Sequence, residues 1–187
     1  VIARSAVAAK ESLSTAVSVT HLGLGKAKVE QVASNRRILG EDGKVAHVRW
    51  TACTDPMLRE EPEGTIDPWL RAISLWNGDT PVAILTHYAT HPQSHYGKGS
   101  VSADFPGMAR TARELAVPEA RHFHFNGAGG NIGAGKYNDG SPSNRPVLAG
   151  RLEDGMKAAF DSTTKYSLTD LDVDWATEDV LLPLRDE

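Results

Sequence analysis

Three segments of the chain concentrate residues that could do chemistry. The first, residues 86–95, reads Thr-His-Tyr-Ala-Thr-His-Pro-Gln-Ser-His and ends an apolar run. Strand alternation places His87 and His91 on one face of the predicted strand, which Pro92 ends. A neutral imidazole at the end of a buried strand is held rigidly and suits zinc. A hydrogen-bonded core histidine is the more common alternative, so this segment alone leaves both interpretations open.

The second segment is a glycine-rich loop, residues 126–135, which reads Asn-Gly-Ala-Gly-Gly-Asn-Ile-Gly-Ala-Gly. Residues 130–136 have the glycine and lysine spacing of a phosphate-binding loop, but Tyr137 stands where a serine or threonine should reach Mg²⁺. The backbone N–H groups of the loop can approach a ligand closely, with Asn126 and Asn131 as neutral donors. A tight structural turn explains the glycines equally well.

The third segment, Ser34-Asn-Arg-Arg37, places two arginines together. Adjacent arginines usually lie on a solvated surface, but one of them could bind a carboxylate or phosphate through two parallel hydrogen bonds. A Ser–His–Asp triad is a further hypothesis, with Ser94 or Ser102 as the nucleophile and Asp104 as the acid. The sequence has no Gly-x-Ser-x-Gly motif to support it.

The composition excludes several classes of protein. The 187 residues carry 20 Lys+Arg against 24 Asp+Glu, a formal net charge of −4, which argues against an electrostatic nucleic-acid binder. Cys53 is the single cysteine, so the sequence excludes an internal disulfide and a cysteine-based zinc ribbon. No apolar run approaches the ~20 residues of a transmembrane segment. The length suits one domain with a buried core.

Hydrophobic periodicity predicts helices interleaved with strands. Helices are predicted over residues 1–13, 104–118 and 146–160, and strands over 16–24, 45–51, 69–76, 81–88 and 122–125. The Asn-Gly pair in residues 77–80 predicts a hairpin between two of these strands. One or two further strands are predicted from Tyr166 onward. The predicted fold class is therefore α/β (mixed α+β), with a mixed β-sheet flanked by helices.

Four short motifs stand in order along the chain. They are Asn35-Arg36-Arg37, Ala89-Thr-His-Pro-Gln-Ser94, Val101-Ser-Ala-Asp-Phe-Pro-Gly-Met-Ala109 and Asn126-Gly-Ala-Gly-Gly-Asn-Ile132. Together they resemble the neutral/alkaline non-lysosomal ceramidase family, especially its divergent bacterial members. The corresponding family patterns are Asn-Arg, Ala-x-His-Pro-x-Ser, Ser-x-Asp-x-x-Gly and Gln-Gly-Ala-x-Gly-Asp-Ile/Val. The match covers residues 35–134 of this chain.

The resemblance implies a zinc-dependent amidase domain that cleaves N-acyl bonds, as in ceramide. His91 matches a zinc ligand of the family, and Arg36, with Asn35 beside it, matches an arginine that contacts substrate. The loop matches the family's catalytic segment. The candidate catalytic residues are Asn126, Gly130 and Asn131. Family members are usually exported, so the resemblance also implies a secreted or periplasmic location.

The chain also departs from the family pattern. Gly133 or its neighbour stands where the family has its nucleophilic serine, and Asn131 replaces an aspartate. The family's upstream His-Thr-His segment would lie before Val1, and its Glu and Tyr zinc ligands would lie beyond Glu187. We therefore expect residues 1–187 to be one domain that forms the central part of a larger ceramidase-like catalytic domain.

Three hypotheses for the function follow. The first is a zinc-dependent hydrolase of amide bonds that uses a metal-activated water on a small-molecule or lipid-like N-acyl substrate. Loop N–H groups and Arg36 would stabilise the developing oxyanion. The second is a catalytically lapsed member that binds a lipid or a glycan, and the third is a protein that binds a phosphorylated ligand through the glycine-rich loop. The sequence predicts no nucleic-acid partner and does not specify an oligomeric state.

Overall fold

The computed structural model describes residues 1–99 and 101–182. Its elements in chain order are α1 (Ile2–Ser12), β1 (His21–Lys28), β2 (Ser34–Asn35), β3 (Arg37–Leu39), β4 (Val45–Val48), α2 (Pro56–Glu60), β5 (Trp69–Asn77), β6 (Thr80–Tyr88), α3 (Asp104–Ala116), β7 (Arg121–Asn126), β8 (Ile132–Gly133), α4 (Asn144–Asp161) and β9 (Thr164–Ser167). None of the helices in these two ranges is long and apolar enough to cross a membrane. The predicted mixed α+β class is confirmed.

Five strands form one mixed sheet in the order β7-β6-β5-β1-β9. β6 and β7 are parallel and are connected through α3, whereas the other neighbours are antiparallel. The predicted hairpin joins β5 to β6, with Asn77 opposite Thr80 and Gly78 at φ 59°, which glycine adopts without steric conflict. The parallel pair brings the carboxyl ends of β6 and β7 to the same edge of the sheet.

The core lies between one face of the sheet and helices α3 and α4. Its largest members, each at most 1% exposed, are Leu70, Tyr88, Phe105, Leu148 and Leu152. Full burial of a side chain such as leucine contributes about 1.5–3 kcal/mol. Helix α4 approaches the sheet closely at Gly25 of β1, where a Cβ would stand 2.0 Å from the backbone oxygen of Ala159. A side chain at this position of β1 would therefore force α4 away.

The opposite face of the sheet is partly exposed. Leu24, Phe123, Phe125 and Tyr166 are between 45% and 52% exposed. His87 stacks on Phe125 here, with ring centroids 5.0 Å apart. A cavity of about 800 Å³ on this face is lined by residues that include Leu24 and His87. His91 and the glycine-rich loop do not line this cavity, so this cavity and the candidate chemistry lie apart.

The first strand begins later than its periodicity indicates. Alternation predicts a strand over residues 16–24, whereas β1 spans His21–Lys28. Its length is set by β5, with which it pairs from His21 opposite Trp76 to Lys28 opposite Trp69. Alternation in the sequence therefore identifies a strand here, but its ends depend on the partner strand.

Two further strand predictions need correction. β6 (Thr80–Tyr88) confirms the strand predicted over 81–88, but the strand does not continue to His91 and Pro92, because the N–H of Thr90 donates to the carbonyl of Tyr88 at 3.1 Å. His91 therefore lies in the turn after the strand. The prediction of one or two strands from Tyr166 onward is met in part: β9 contains Tyr166, but the described chain from there to residue 182 is mostly exposed and contains no second strand. Residues 183–187 lie outside the described ranges.

His124 is a half-buried imidazole on β7. Its Nδ1 lies 2.9 Å from Oγ1 of Thr86, and its Nε2 is buried with no hydrogen-bond partner among the described residues. Burial, reinforced by nearby His87, lowers the pKa of His124 from 6.5 to about 4. Between these two values the unfolded chain binds a proton that the folded chain does not. The free energy of unfolding therefore falls as the pH falls through this window.

We predict that acid destabilises the protein through His124. Its titration lowers the free energy of unfolding by about 2–3 kcal/mol between pH 7 and pH 4. His124→Leu removes this contribution, so its stability depends less on pH, whereas His47→Leu, exposed on β4, behaves like the wild type. Urea unfolding at the two pH values measures the effect. Equal pH dependence in the wild type and His124→Leu would contradict the prediction.

Candidate functional site

The three reactive segments meet at the edge of the sheet where β6 and β7 end. The N–H of Gly127 donates to the carbonyl of Tyr88 at 2.9 Å, so the glycine-rich loop starts directly against the last residue of β6. Within the loop, Ile132 and Gly133 form β8 and pair with β2. The loop is therefore held between the end of β6 on one side and the segment that carries Asn35 and Arg36 on the other.

Glycines allow the loop to lie on the backbone that follows β6. A Cβ on Gly127 would stand 3.2 Å from Cα of Ala89, and a Cβ on Gly129 would stand 2.9 Å from the carbonyl carbon of Thr90. A Cβ on Gly130, in contrast, would have no atom of the described residues within 4 Å apart from its own chain neighbours. Two of the loop glycines are therefore explained by close packing, and Gly130 is free of that constraint.

His91 is the histidine that the loop holds. Its backbone N–H donates to the carbonyl of Ile132 at 3.1 Å. Its ring Nδ1 lies 2.7 Å from the carbonyl oxygen of Gly129 and 2.9 Å from that of Ile132. Because a carbonyl only accepts, Nδ1 carries the hydrogen and Nε2 has the free lone pair. No described residue forms a hydrogen bond with Nε2. This is the arrangement in which histidine ligates a metal through Nε2 while a backbone carbonyl fixes the ring.

Arg36 contacts the same loop from the residue that follows β2. Its N–H donates to the carbonyl of Asn131 at 2.7 Å, and Nη2 donates to the carbonyl of Gly130 at 2.8 Å. The guanidinium also lies over the ring of Trp50, 5.6 Å from its centroid. Trp50 is 62% exposed and was not identified from the sequence. The available signal was a tryptophan at the end of an alternating strand, which is too common to indicate a site.

The two asparagines Asn35 and Asn131 hold the loop in place through their side chains. Nδ2 of Asn131 lies 3.1 Å from the side-chain amide of Asn35, and Oδ1 of Asn131 accepts from Arg37 at 2.8 Å. Asn131 therefore offers its backbone N–H, and not its side chain, to a ligand.

The backbone N–H groups of the loop are available as donors. Among the described residues, none accepts a hydrogen bond from the N–H groups of Gly129, Gly130 or Asn131. Asn126, at the end of β7, is exposed, and its side chain forms no hydrogen bond within the described chain. The structure thus brings His91, Arg36, Asn35 and the loop together, with Asn126 at the start of the loop.

Lys136 serves the structure of a neighbouring helix. Its Nζ donates to the carbonyls of Arg59 at 2.7 Å and Glu60 at 3.2 Å, at the carboxyl end of α2. A cation at a helix carboxyl terminus satisfies carbonyls that have no partner within the helix. The lysine that a phosphate-binding loop would need is already bound, so the geometry argues against the phosphate hypothesis.

The triad hypothesis is wrong. Ser94 is 2% exposed, and its hydroxyl donates directly to the carboxylate of Asp104, with no imidazole between them. Ser102 accepts from the backbone N–H of Asp104 at 3.2 Å. Neither serine is therefore arranged as a nucleophile activated by histidine.

The described residues do not form a complete metal site. In residues 1–99 and 101–182, no three His, Cys, Asp or Glu side chains come together as a ligand group. A catalytic zinc takes three protein ligands and keeps one position open. His91 has the tautomer that fits a single ligand of such a set, so the remaining ligands would have to come from elsewhere.

No protein-family model and no curated protein sequence matches the chain. Among solved structures, it is similar to neutral ceramidase from Pseudomonas aeruginosa, with a TM-score of 0.60 and 16% identity over 83% of this chain and 25% of that chain. The fold is ceramidase-like. A ceramidase complexed with C2 is similar too, with a TM-score of 0.57 and 15% identity over 81% of this chain and 24% of that chain. The chain thus spans about a quarter of the length of these ceramidases.

We predict that Gly129→Ala destabilises the protein and that Gly130→Ala does not. The added methyl group at Gly129 would overlap the backbone of Thr90 and push the loop away from His91. This should lower the free energy of unfolding by about 1–3 kcal/mol. At Gly130 the methyl group meets open space, and the change stays within about 0.5 kcal/mol. Urea unfolding of both variants measures the difference. Equal stability of the two variants would show that the loop does not pack as described.

Proposed function

We propose that the chain is part of a zinc-dependent hydrolase of amide (N-acyl) bonds in which Nε2 of His91 is one zinc ligand. The observation that carries the proposal is the pair of carbonyls, from Gly129 and Ile132, that fix the hydrogen on Nδ1. Fixing the tautomer in this way is typical of metal-ligating histidines. The ceramidase-like fold and the four motifs in residues 35–134 support the same proposal.

Zinc, when bound, supplies Lewis-acid activation of water or of the substrate carbonyl. The chain's own residues supply orientation and charge stabilisation. The N–H groups of Gly129, Gly130 and Asn131 would donate to the oxyanion that develops on the amide carbonyl. Arg36 donates from Nη2 to the carbonyl of Gly130 and its Nε is buried, so its Nη1 would contact the substrate. The exposed ring of Trp50 beside it offers an apolar surface to an N-acyl chain.

The nucleophile in this proposal is water. Gly133 has no hydroxyl, and it lies buried in β8. We place the substrate among small-molecule or lipid-like N-acyl compounds. A secreted or periplasmic location remains a prediction from the family resemblance.

A second candidate function is ligand binding without turnover, of a lipid or a glycan. One observation favours it: a Cβ on Gly133 would meet only ordinary contacts, 3.6 Å to Cγ of Arg36 and 3.7 Å to the carbonyl oxygen of Trp50. Packing therefore does not demand glycine at the position that corresponds to the family's serine. The missing hydroxyl would then reflect lost catalysis.

We predict that His91→Ala removes zinc and activity from the complete natural polypeptide. The wild type should contain about one zinc per chain and hydrolyse members of a panel of N-acyl sphingosines and N-acyl amino sugars. The variant should lose the metal, and its kcat/KM should fall by about a hundredfold or more. Metal analysis by plasma mass spectrometry and product release measure both effects.

The matched control is His21→Ala. His21 pairs with Trp76 at the opposite end of the sheet, so its loss should change neither zinc content nor turnover. A metal-free wild type, or unchanged zinc in His91→Ala, would contradict the proposal. Saturable binding of an N-acyl lipid by a wild type that releases no product would establish the second candidate instead.

A further inference from the structure

Asp104 has an unusual backbone conformation for its residue type. Its φ is 50°, in the left-handed region that residues with a Cβ rarely adopt, and it stands at the first position of α3. Such a conformation persists only where surrounding contacts hold it. Two local contacts do so: the N–H of Asp104 donates to Oγ of Ser102 at 3.2 Å, and Oδ1 accepts from the N–H of Phe105 at 2.7 Å.

The carboxylate of Asp104 binds Ser94 with both oxygens. Oδ2 accepts from the N–H of Ser94 at 3.0 Å, and Oδ1 accepts from its hydroxyl. The remaining polar group of Ser94, its carbonyl, accepts from Nδ2 of Asn138 at 2.7 Å. Ser94 is 2% exposed and Asn138 is fully buried. Ser94 is thus fixed in all three of its hydrogen-bonding groups by residues distant in sequence.

Asp104 stays charged in this position. Burial raises the pKa of its carboxyl, but hydrogen bonds from Ser94 and Phe105 outweigh burial and hold the pKa below its usual range. Arg145 of α4 adds a cation, with Nε 3.6 Å from Oδ1. A hydrogen bond to an ionised carboxylate is roughly twice as strong as one between neutral groups. The hydrogen bonds to the ionised carboxylate of Asp104 therefore hold Ser94 firmly in place.

Ser94, which Asp104 holds, lies three residues after His91. The loop holds residues 91–94 at the His91 end, through the carbonyls of Gly129 and Ile132. Asp104 holds the same short segment at its Ser94 end, and Pro92 restricts the backbone between the two. Anchoring the segment at both ends restricts the positions that the ring of His91 can take.

We propose that Asp104 is a positioning residue for His91: by fixing Ser94, it keeps the imidazole against the two loop carbonyls, which in turn set its tautomer. The role of Nε2 rests on the proposed function, whereas the effect on the ring does not. This role accounts for the left-handed backbone of Asp104, because in that conformation its carboxylate bonds to Ser94 from the first position of α3.

The test compares three variants with the wild type by ¹⁵N NMR of the His91 imidazole and by zinc titration of the complete natural polypeptide. Asp104→Gly deletes the carboxylate but keeps φ 50° accessible, so the helix can start as before. Asp104→Asn keeps an oxygen acceptor for the N–H of Ser94. Asp172→Gly is the control, because Asp172 binds the N–H and hydroxyl of Thr169, both at 2.7 Å, in the same way at a site unconnected to His91.

We expect one tautomer, with hydrogen on Nδ1, in the wild type and in the control. Asp104→Gly should show a mixture of tautomers and an affinity for zinc about tenfold or more weaker, with Asp104→Asn between it and the wild type. Identical imidazole spectra in Asp104→Gly and the wild type would overturn the positioning role. If the spectra change as expected while no form binds zinc, the positioning role holds and the proposed function fails.

Discussion

A single nitrogen, Nδ1 of His91, donates to the carbonyls of Gly129 and Ile132, and the rest of the site is arranged around that contact. For both carbonyls to reach one ring, the loop must fold back over the turn that follows β6. That path leaves no room for a side chain at Gly129. It also leaves the N–H groups of Gly129, Gly130 and Asn131 without an acceptor among the described residues. The same geometry therefore fixes the imidazole and creates a set of backbone donors beside it.

The scaffold meets this constraint from two sides. The parallel pair β6 and β7 brings the turn with His91 and the start of the loop to one edge of the sheet. On the other side, Arg49 is 1% exposed and donates to the carbonyls of Asn35, Leu58, Glu61 and Pro62. Burying a guanidinium is unfavourable unless its donors are satisfied, and here four carbonyls satisfy it. This core of hydrogen bonds holds β2 where Arg36 can contact the loop.

Local sequence patterns predicted the helices and strands better than the contacts between them. The hairpin at residues 77–80, helix α3 and the concentration of reactive residues in three segments could all be predicted. The partners of Ser94 and Lys136 could not, because both bond to residues brought close only by tertiary folding. Alternation from Tyr166 onward suggested strands, but a strand forms only where it can pair with a neighbouring strand. In the described residues of this region, only β9 has such a partner, which is β1.

The central claim is that Nε2 of His91 faces a zinc ion while Nδ1 is held by the loop. A crystal structure of the complete natural polypeptide, recorded at the zinc absorption edge, tests it most directly. If His91 is a zinc ligand, we expect an anomalous peak about 2.0–2.1 Å from its Nε2, with Nδ1 still bonded to the carbonyls of Gly129 and Ile132. A zinc peak whose ligands exclude His91, or a His91 bound through Nδ1, would contradict it.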